Sequence, residues 1–180
     1  DAARRELAEE TGIELSRDDL VQIGAYGDVG RDPRSGRTIS VAFVAFNAEF
    51  ATPFAGSDAA SAEFMDVIEL LADPNRLEFD HSRIIRNAIS RVRDLMERTP
   101  IALKFCDEEF TLSDLRHVYE AILGYEVDPA NFRKKIDAVD GFVVPVPNVE
   151  STHSGAGRPA RMFRRSSIRD LNPPVRFRTK

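Results

Sequence analysis

The sequence predicts two domains, an α/β domain in which helices cover a sheet and a winged helix domain that follows it. Residues 38–46 are apolar on both faces, which is typical of a central strand with layers above and below it. Residues 110–164 show the order helix, turn, basic helix and hairpin, which is typical of a winged helix. The net charge is −7 over residues 1–100 and +2 over residues 101–180, which favours two modules with different partners.

Composition excludes several classes of protein. The hydrophobic share of 42% in 180 residues is enough for a packed core, yet no apolar run approaches the length of about 20 residues that a membrane helix needs. Cys106 is the single cysteine, so an intramolecular disulfide is excluded, and this suits a reducing cytoplasm. The three histidines lie far apart in sequence and show no zinc-binding spacing. We therefore expect a cytoplasmic protein without a membrane partner.

The first element is a helix with three carboxylates on one side. Glu6, Glu9 and Glu10 are spaced by three and four residues, and Gly12 is placed to end the helix. Like charges at this spacing repel one another, so a hard divalent cation such as Mg²⁺ or Mn²⁺ would stabilise them. The alternative is an ordinary solvated face, because glutamate-rich helical turns are common.

A strand at residues 20–26 leads into a turn-rich loop at residues 27–36. The loop contains Arg31, Asp32 and Arg34, and arginine side chains suit the recognition of phosphate. The alternative, which the composition favours, is a solvated loop with internal Arg–Asp pairs.

The next predicted elements are a strand with a turn at residues 63–71 and an amphipathic helix at residues 80–98. The dipeptide Thr99-Pro100 ends the helix, so we place the domain boundary there, between residues 1–99 and residues 100–180.

The second domain begins with a helix that Thr111 or Ser113 can cap and that Gly124 ends. Asp128 then caps a second helix that runs to about Val139. A hairpin follows, with strands at residues 142–146 and 161–164.

Residues 129–180 carry a net charge of +7, which favours nucleic acid as the partner, although a basic tail can also serve solubility alone. The predicted DNA contacts are Asn131, Arg133, Lys134 and Lys135 on the helix, and Arg158 and Arg161 in the wing. The alternative is a winged helix used for protein contact or dimerisation.

Residues 5–13, Arg-Glu-Leu-Ala-Glu-Glu-Thr-Gly-Ile, resemble the second half of the Nudix box at every specified position. The resemblance implies an α/β/α sandwich with a mixed sheet. It also implies that Glu6 and Glu10 bind divalent ions, that Glu9 assists them, and that Arg5 orients a glutamate. The glutamate of the first half would precede Asp1, so we expect the chain to begin inside the motif with its N-terminal part missing.

The loop at residues 27–34 and the strand after it resemble the ADP-ribose-directed branch of the Nudix superfamily. Residues 110–119 and 131–135 resemble the winged helix of the Nudix-related transcriptional regulators, the NrtR family. The resemblance implies a bacterial, nucleoid-associated repressor of NAD-metabolism genes. It would bind palindromic double-stranded operators as a homodimer, and ADP-ribose or a related NAD metabolite would release it. The ligand-binding candidates are Arg5, Arg31, Asp32 and Arg34.

The enzymatic alternative is a Mg²⁺-dependent ADP-ribose pyrophosphatase, that is, a Nudix hydrolase. Its motivation is the intact set of Arg5, Glu6, Glu9 and Glu10, with Glu9 and Glu10 as the catalytic candidates if the protein is active. We favour the regulator because a catalyst does not need a basic recognition helix.

Overall fold

The computed structural model describes residues 1–31, 33, 38–46, 63–73, 76–150 and 160–177, with only the backbone of residues 148–150. The chain forms two compact units, Asp1–Arg91 and Val92–Lys180. The two units therefore divide within the helix His81–Arg98, whereas Pro100 begins a short 3-10 helix, Pro100–Phe105. The boundary predicted at Thr99-Pro100 stays a prediction.

The first unit opens with helix α1, Ala2–Thr11, which ends as the sequence predicts. Gly12 has a φ of 70°, in the left-handed region where a glycine costs least, and its N–H donates to the carbonyl of Ala8 at 2.9 Å. The Arg4 Nε donates to the carbonyl of Leu15 at 2.6 Å. This bond ties α1 to the segment that leads into the sheet.

Two antiparallel strands follow, β1 (Leu20–Tyr26) and β2 (Ser40–Ala45). The register pairs Leu20 with Ala45 and Tyr26 with Ser40, with an irregularity at Gln22 and Gly24.

The prediction that both faces of the second strand are covered is wrong for the described part of the chain. Ile39, Val41 and Phe43 are exposed, at 62%, 48% and 40%, while Phe46 at the end of the segment is buried. Their face is exposed because no described layer packs against it, and β1 is the described strand that pairs with β2.

The predicted strand at residues 63–71 is wrong as well, because Val67–Ala72 forms helix α2. Asp66 is its N-cap, and its carboxylate accepts from the backbone N–H groups of Ile68 at 2.8 Å and Glu69 at 3.1 Å. Helix α3, His81–Arg98, confirms the amphipathic helix, with Val92 and Met96 buried. Among the described residues, no helix is both long and apolar enough to cross a membrane.

The second unit is a winged helix, as predicted. Its helices are α4 (Leu112–Leu123) and α5 (Pro129–Asp137), and its strands β3 (Glu109–Thr111), β4 (Val143–Glu150) and β5 (Arg161–Arg165) form an antiparallel sheet in the order β3-β5-β4. The three-residue strand β3 is too short for a sequence pattern to reveal it.

The ends of both helices in this unit follow the predicted signals closely. Thr111 caps α4 in a reciprocal capping box with Asp114, and Gly124 follows the helix at a φ of 79°. Helix α5 ends at Asp137, two residues before the predicted end at Val139. The largest fully buried side chains of this unit are those of Phe110, Leu115, Tyr119, Phe132, Ile136, Phe142 and Val175.

Cys106 lies in the same interior. Burial raises the pKa of its thiol to about 12, so the side chain is a neutral thiol at physiological pH.

Candidate functional site

The carboxylates of α1 project into solvent. Glu6, Glu9 and Glu10 are all exposed, and the Arg5 Nε lies 3.8 Å from the Glu9 Oε1 in a pair that is open to water on both sides. Among the described residues, no three carboxylate, imidazole or thiol groups come together as a metal site would require. The three glutamates therefore do not make a preformed metal site by themselves, and metal binding by them stays a prediction.

An open pocket of about 680 Å³ lies beside α1. Arg4 and Arg5 lie on it together with Asp1 and Glu14, so its lining contains two arginines and two carboxylate side chains. Arg5, one of the predicted ligand-binding residues, is thus placed on a concave surface. Ligand binding by Arg5 stays a prediction.

Arg31 makes a nearly buried ion pair with Asp80, the residue before α3. The Arg31 Nε donates to the Asp80 Oδ2 at 3.2 Å, and its Nη2 donates to the Oδ1 at 2.9 Å, in the two-pronged geometry that suits a guanidinium and a carboxylate. The remaining Nη1 donates to the Ser40 hydroxyl at 2.7 Å. For Arg31 the structure therefore shows the internal Arg–Asp pairing that the sequence left as an alternative. The predicted ligand contacts Asp32 and Arg34 lie outside the described residues.

Arg83 continues this network on the first turn of α3. Its Nη2 donates to the Asp80 Oδ2 at 2.9 Å, and its Nη1 lies 2.6 Å from the Asp28 Oδ2. Its guanidinium also lies 5.5 Å from the centre of the Tyr26 ring. The hydrogen bond from Arg31 holds the pKa of Asp80 at about 2, with Arg83 adding to the effect against the opposing influence of burial. Asp80 therefore ties Arg31 to the start of α3. Sequence reasoning missed Asp80 and Arg83 as a site, although their spacing of three residues on a helix was a usable signal.

The second candidate site is the outer face of α5. Its N-cap Asp128 accepts from the backbone N–H of Asn131 at 2.8 Å, which fixes the start of the helix. Asn131, Arg133 and Lys134 are exposed, and Lys135 is half-buried. Arg133 pairs loosely with Asp137 at 3.8 Å, a contact open to solvent that costs little to exchange for another anion.

The wing supplies a further cation from β5. Arg161 is exposed, with its guanidinium 5.7 Å from the centre of the Phe163 ring. Arg158, the other predicted wing contact, lies outside the described residues. The structure thus brings a row of cations onto α5 and places Arg161 on the sheet of the same unit.

Glu120 organises the turn between α4 and α5. Its Oε1 accepts from the backbone N–H of Val127 at 2.7 Å and from the Arg116 Nη1 at 2.5 Å. Burial alone would raise the pKa of Glu120, but the Val127 hydrogen bond and the Arg116 charge outweigh it, and the pKa is lowered. The sequence analysis missed this residue, because its partner Val127 comes from beyond the helix.

Family comparisons agree with both units. Residues 1–88 match the NUDIX domain, and residues 102–165 match the NrtR DNA-binding winged helix domain. The chain therefore pairs a NUDIX domain with an NrtR winged helix domain. The resemblance and the fold class stated from the sequence are thereby confirmed. Nudix domains in general use divalent metal ions.

One curated relative comes from Acinetobacter baylyi and bears the name "ADPR responsive transcriptional repressor NtrR". It is 27% identical over 162 residues, which are 90% of this chain and 61% of the relative. The chain thus spans less than two thirds of the length of that relative.

Solved structures of similar fold include two of Shewanella oneidensis NrtR. The first has a TM-score of 0.65 at 23% identity, covering 92% of this chain and 74% of the other. The second, complexed with a 27mer DNA, has a TM-score of 0.61 at 22% identity, covering 93% and 76%. A MutT/nudix family protein from Enterococcus faecalis has a TM-score of 0.68 at 27% identity, covering 92% and 68%. The two Shewanella likenesses support the fold alone.

Proposed function

We propose that this chain is a bacterial transcriptional repressor of NAD-metabolism genes, which binds operator DNA through its winged helix and is released by ADP-ribose. The observation that carries the proposal is the exposed cationic face on α5, the second helix of a winged helix. Support also comes from the match of residues 102–165 to the NrtR DNA-binding winged helix domain and from the name of the Acinetobacter relative, an ADPR-responsive repressor.

Recognition would divide between phosphates and bases. Arg133 and Lys134 sit on an exposed helix face, where cations most readily meet the phosphate backbone. Asn131 lies in the first turn, and an asparagine amide can pair with an adenine edge in the major groove. Arg158 and Arg161 of the wing would follow the backbone beside the groove. Most of the affinity would therefore be electrostatic, and Asn131 would contribute to sequence preference.

The effector would bind in the first unit. Arg4 and Arg5 line a pocket there, and two arginines suit the diphosphate of ADP-ribose. We further propose that Mg²⁺ or Mn²⁺ accompanies the diphosphate. The exposed glutamates of α1 do not gather around a cation by themselves, so they would need oxygen ligands from elsewhere.

The working unit would be a homodimer in the bacterial cytoplasm, associated with the nucleoid. Two winged helices related by a two-fold axis match the two half-sites of a palindrome. Analytical ultracentrifugation of the chain, with and without duplex, tests this part.

The central experiment selects a duplex from a random library with the full chain and measures its affinity by fluorescence anisotropy. We expect binding that weakens steeply as salt rises, because neutralised phosphates release counterions. Adding ADP-ribose should weaken binding further, whereas adenosine, which lacks the diphosphate, should not. Failure to enrich any duplex would contradict DNA binding, and an unchanged affinity in ADP-ribose would contradict the effector.

The hydrolase remains a second proposal because the motif residues Arg5, Glu6, Glu9 and Glu10 are all present. Its test is AMP release from ADP-ribose with Mg²⁺, compared between the wild type and Glu10→Gln. A rate that falls in the variant would favour hydrolysis, and equal background rates in both proteins would exclude it.

A further inference from the structure

The segment 171–177 runs from the end of α3 to the recognition helix α5, within the second unit. The backbone N–H of Leu171 donates to the carbonyl of Arg98 at 2.7 Å, and that of Val175 donates to the carbonyl of Glu97 at 2.8 Å. These carbonyls belong to the last turn of α3, where a helix has no partners of its own. Leu171 and Val175 are also buried. The segment is therefore fixed to the helix end by backbone bonds and apolar packing.

Its last described residue, Phe177, reaches α5. The Phe177 ring lies parallel to that of Phe132, at an interplanar angle of 13° and a centroid distance of 5.5 Å. The Tyr119 ring of α4 meets it edge-on at 5.6 Å. Phe132 is an inward residue of α5 and is 1% exposed. Phe177 thus packs onto the inner side of the helix whose outer side carries the DNA-contact candidates.

Lys135 connects these two sides of α5. Its Nζ lies 5.7 Å from the centre of the Phe177 ring, a distance at which the ring face attracts an ammonium. Unlike the exposed Lys134 beside it, Lys135 is half-buried. A lysine side chain has considerable rotamer freedom, which is lost on binding a phosphate. A ring that already holds the ammonium reduces that loss.

We infer that Phe177 is a positioning residue for DNA binding, which orients the Lys135 ammonium and steadies α5 through Phe132. The inference rests on the proposed DNA-binding function and names a residue outside the helix-turn-helix and the wing. It predicts that the contribution of Lys135 to affinity depends on the aromatic ring at position 177, whereas the contribution of Lys134 does not.

A double-mutant cycle on the full chain tests this, using a duplex that the wild type selects from a random library. Lys135→Ala should weaken binding on the order of 5- to 10-fold at 0.1 M salt, as expected for one lost phosphate contact. In a Phe177→Leu background the same change should cost less than about 2-fold, because the ammonium is no longer held. Lys134→Ala is the matched control and should cost the same in both backgrounds. Phe177→Tyr keeps the ring and should preserve the full effect of Lys135→Ala.

A readout without DNA separates positioning from stability. In the wild type, the side-chain methylene protons of Lys135 should show an upfield ring-current shift in the NMR spectrum, which Phe177→Leu should remove and Phe177→Tyr should keep. Circular dichroism confirms that each variant is folded. Equal costs of Lys135→Ala in both backgrounds, or no ring-current shift in the wild type, would overturn the inference while leaving the proposed function intact. A wild type that selects no duplex would overturn both.

Discussion

Two arginines bind the Asp80 carboxylate, one that precedes it in the chain and one that follows it. Arg31 comes from the loop before β2, and Arg83 comes from the first turn of α3. The Arg31 and Asp80 side chains are 7% and 15% exposed, so the loss of either partner leaves a charge that is poorly hydrated. This pair contributes to stability through its geometry, and it ties Arg31 to the start of α3.

We predict that Asp80→Asn lowers the free energy of unfolding by about 2 kcal/mol at pH 6, because charge-assisted hydrogen bonds are lost. Folding lowers the pKa of Asp80 from 3.8 to about 2, mainly through the Arg31 hydrogen bond. The stabilisation is therefore complete above about pH 4 and is lost as the pH falls towards 2. Urea denaturation at pH 6 and pH 3 measures the difference, with Asp94→Asn, an exposed change on α3 away from the Asp80 pair, as control. A gap between Asp80→Asn and the wild type that stays constant with pH would contradict the assignment.

A second prediction concerns Glu120 in the turn between α4 and α5. Glu120→Ala leaves the Val127 N–H without its side-chain acceptor, and we expect a loss of about 1–3 kcal/mol in unfolding free energy. Glu120→Gln keeps an acceptor oxygen and should cost less. Thermal unfolding followed by circular dichroism provides the measurement, and the exposed Glu126→Ala in the same turn is the control. Equal losses for Glu120→Ala and Glu126→Ala would show that the turn does not depend on this carboxylate.

Among the elements, helix α5 has both a well-defined N-cap and a charged outer face. Its N-cap at Asp128 and its inward residues Phe132 and Ile136 could be predicted from the sequence, because capping and helical periodicity are local properties. The same holds for Gly12 and Gly124, which end α1 and α4. The sequence could not reveal that Phe177 lies against α5, because Phe177 and its partner Phe132 are 45 positions apart in the chain.

In the first unit, by contrast, the structure departs from two of the predictions made from the sequence. The sequence predicted a strand with a turn at residues 63–71, but Val67–Ala72 forms a helix that Asp66 caps. The apolar pattern of β2 predicted cover on both faces, whereas the described structure leaves Ile39, Val41 and Phe43 exposed. A pattern records which residues are apolar, but it does not record which partner layer is present. The Arg31–Asp80 pair was beyond sequence reasoning for the same reason, because its partners lie 49 positions apart.

At the scale of this element, we predict that α5 carries the salt dependence of DNA binding. Lys134→Ala should reduce the slope of log affinity against log salt concentration by about 1, and Arg133→Ala should do the same. Asn131→Ala should reduce the preference for the selected duplex over a scrambled one while leaving the slope unchanged. Arg86→Ala, an exposed change on α3, is the charge-matched control. Slopes that remain at the wild-type value in both cationic variants would remove α5 from the interface.

For the whole molecule, the distribution of charge supports different roles for its two parts. Residues 1–100 carry a net charge of −7, and residues 129–180 carry a net charge of +7. Electrostatic repulsion of DNA by the acidic part would therefore help to confine DNA binding to the basic part. Release by an effector requires two states that the effector distinguishes by affinity. We propose a hinge near residues 99–107, which include the short helix Pro100–Phe105 of the second unit, just after α3, the helix in which the two units divide.

We therefore predict that ADP-ribose changes backbone hydrogen exchange at Pro100–Phe105 as well as in Asp1–Arg91. Exchange followed by mass spectrometry on the full chain measures it, with adenosine as the control ligand. Protection confined to Asp1–Arg91, together with weakened duplex binding, would show that the hinge lies elsewhere.

The burial of Cys106 makes the reactivity of its thiol a measure of local unfolding. It is the single cysteine of the sequence, and its thiol has a pKa of about 12. A disulfide reagent such as DTNB reacts with thiolates, so modification of the native chain awaits local opening of the winged helix. The rate at which absorbance develops thus reports the opening of the DNA-binding unit, without a fluorophore or an engineered residue. Bound duplex should slow that colour reaction, and urea should accelerate it.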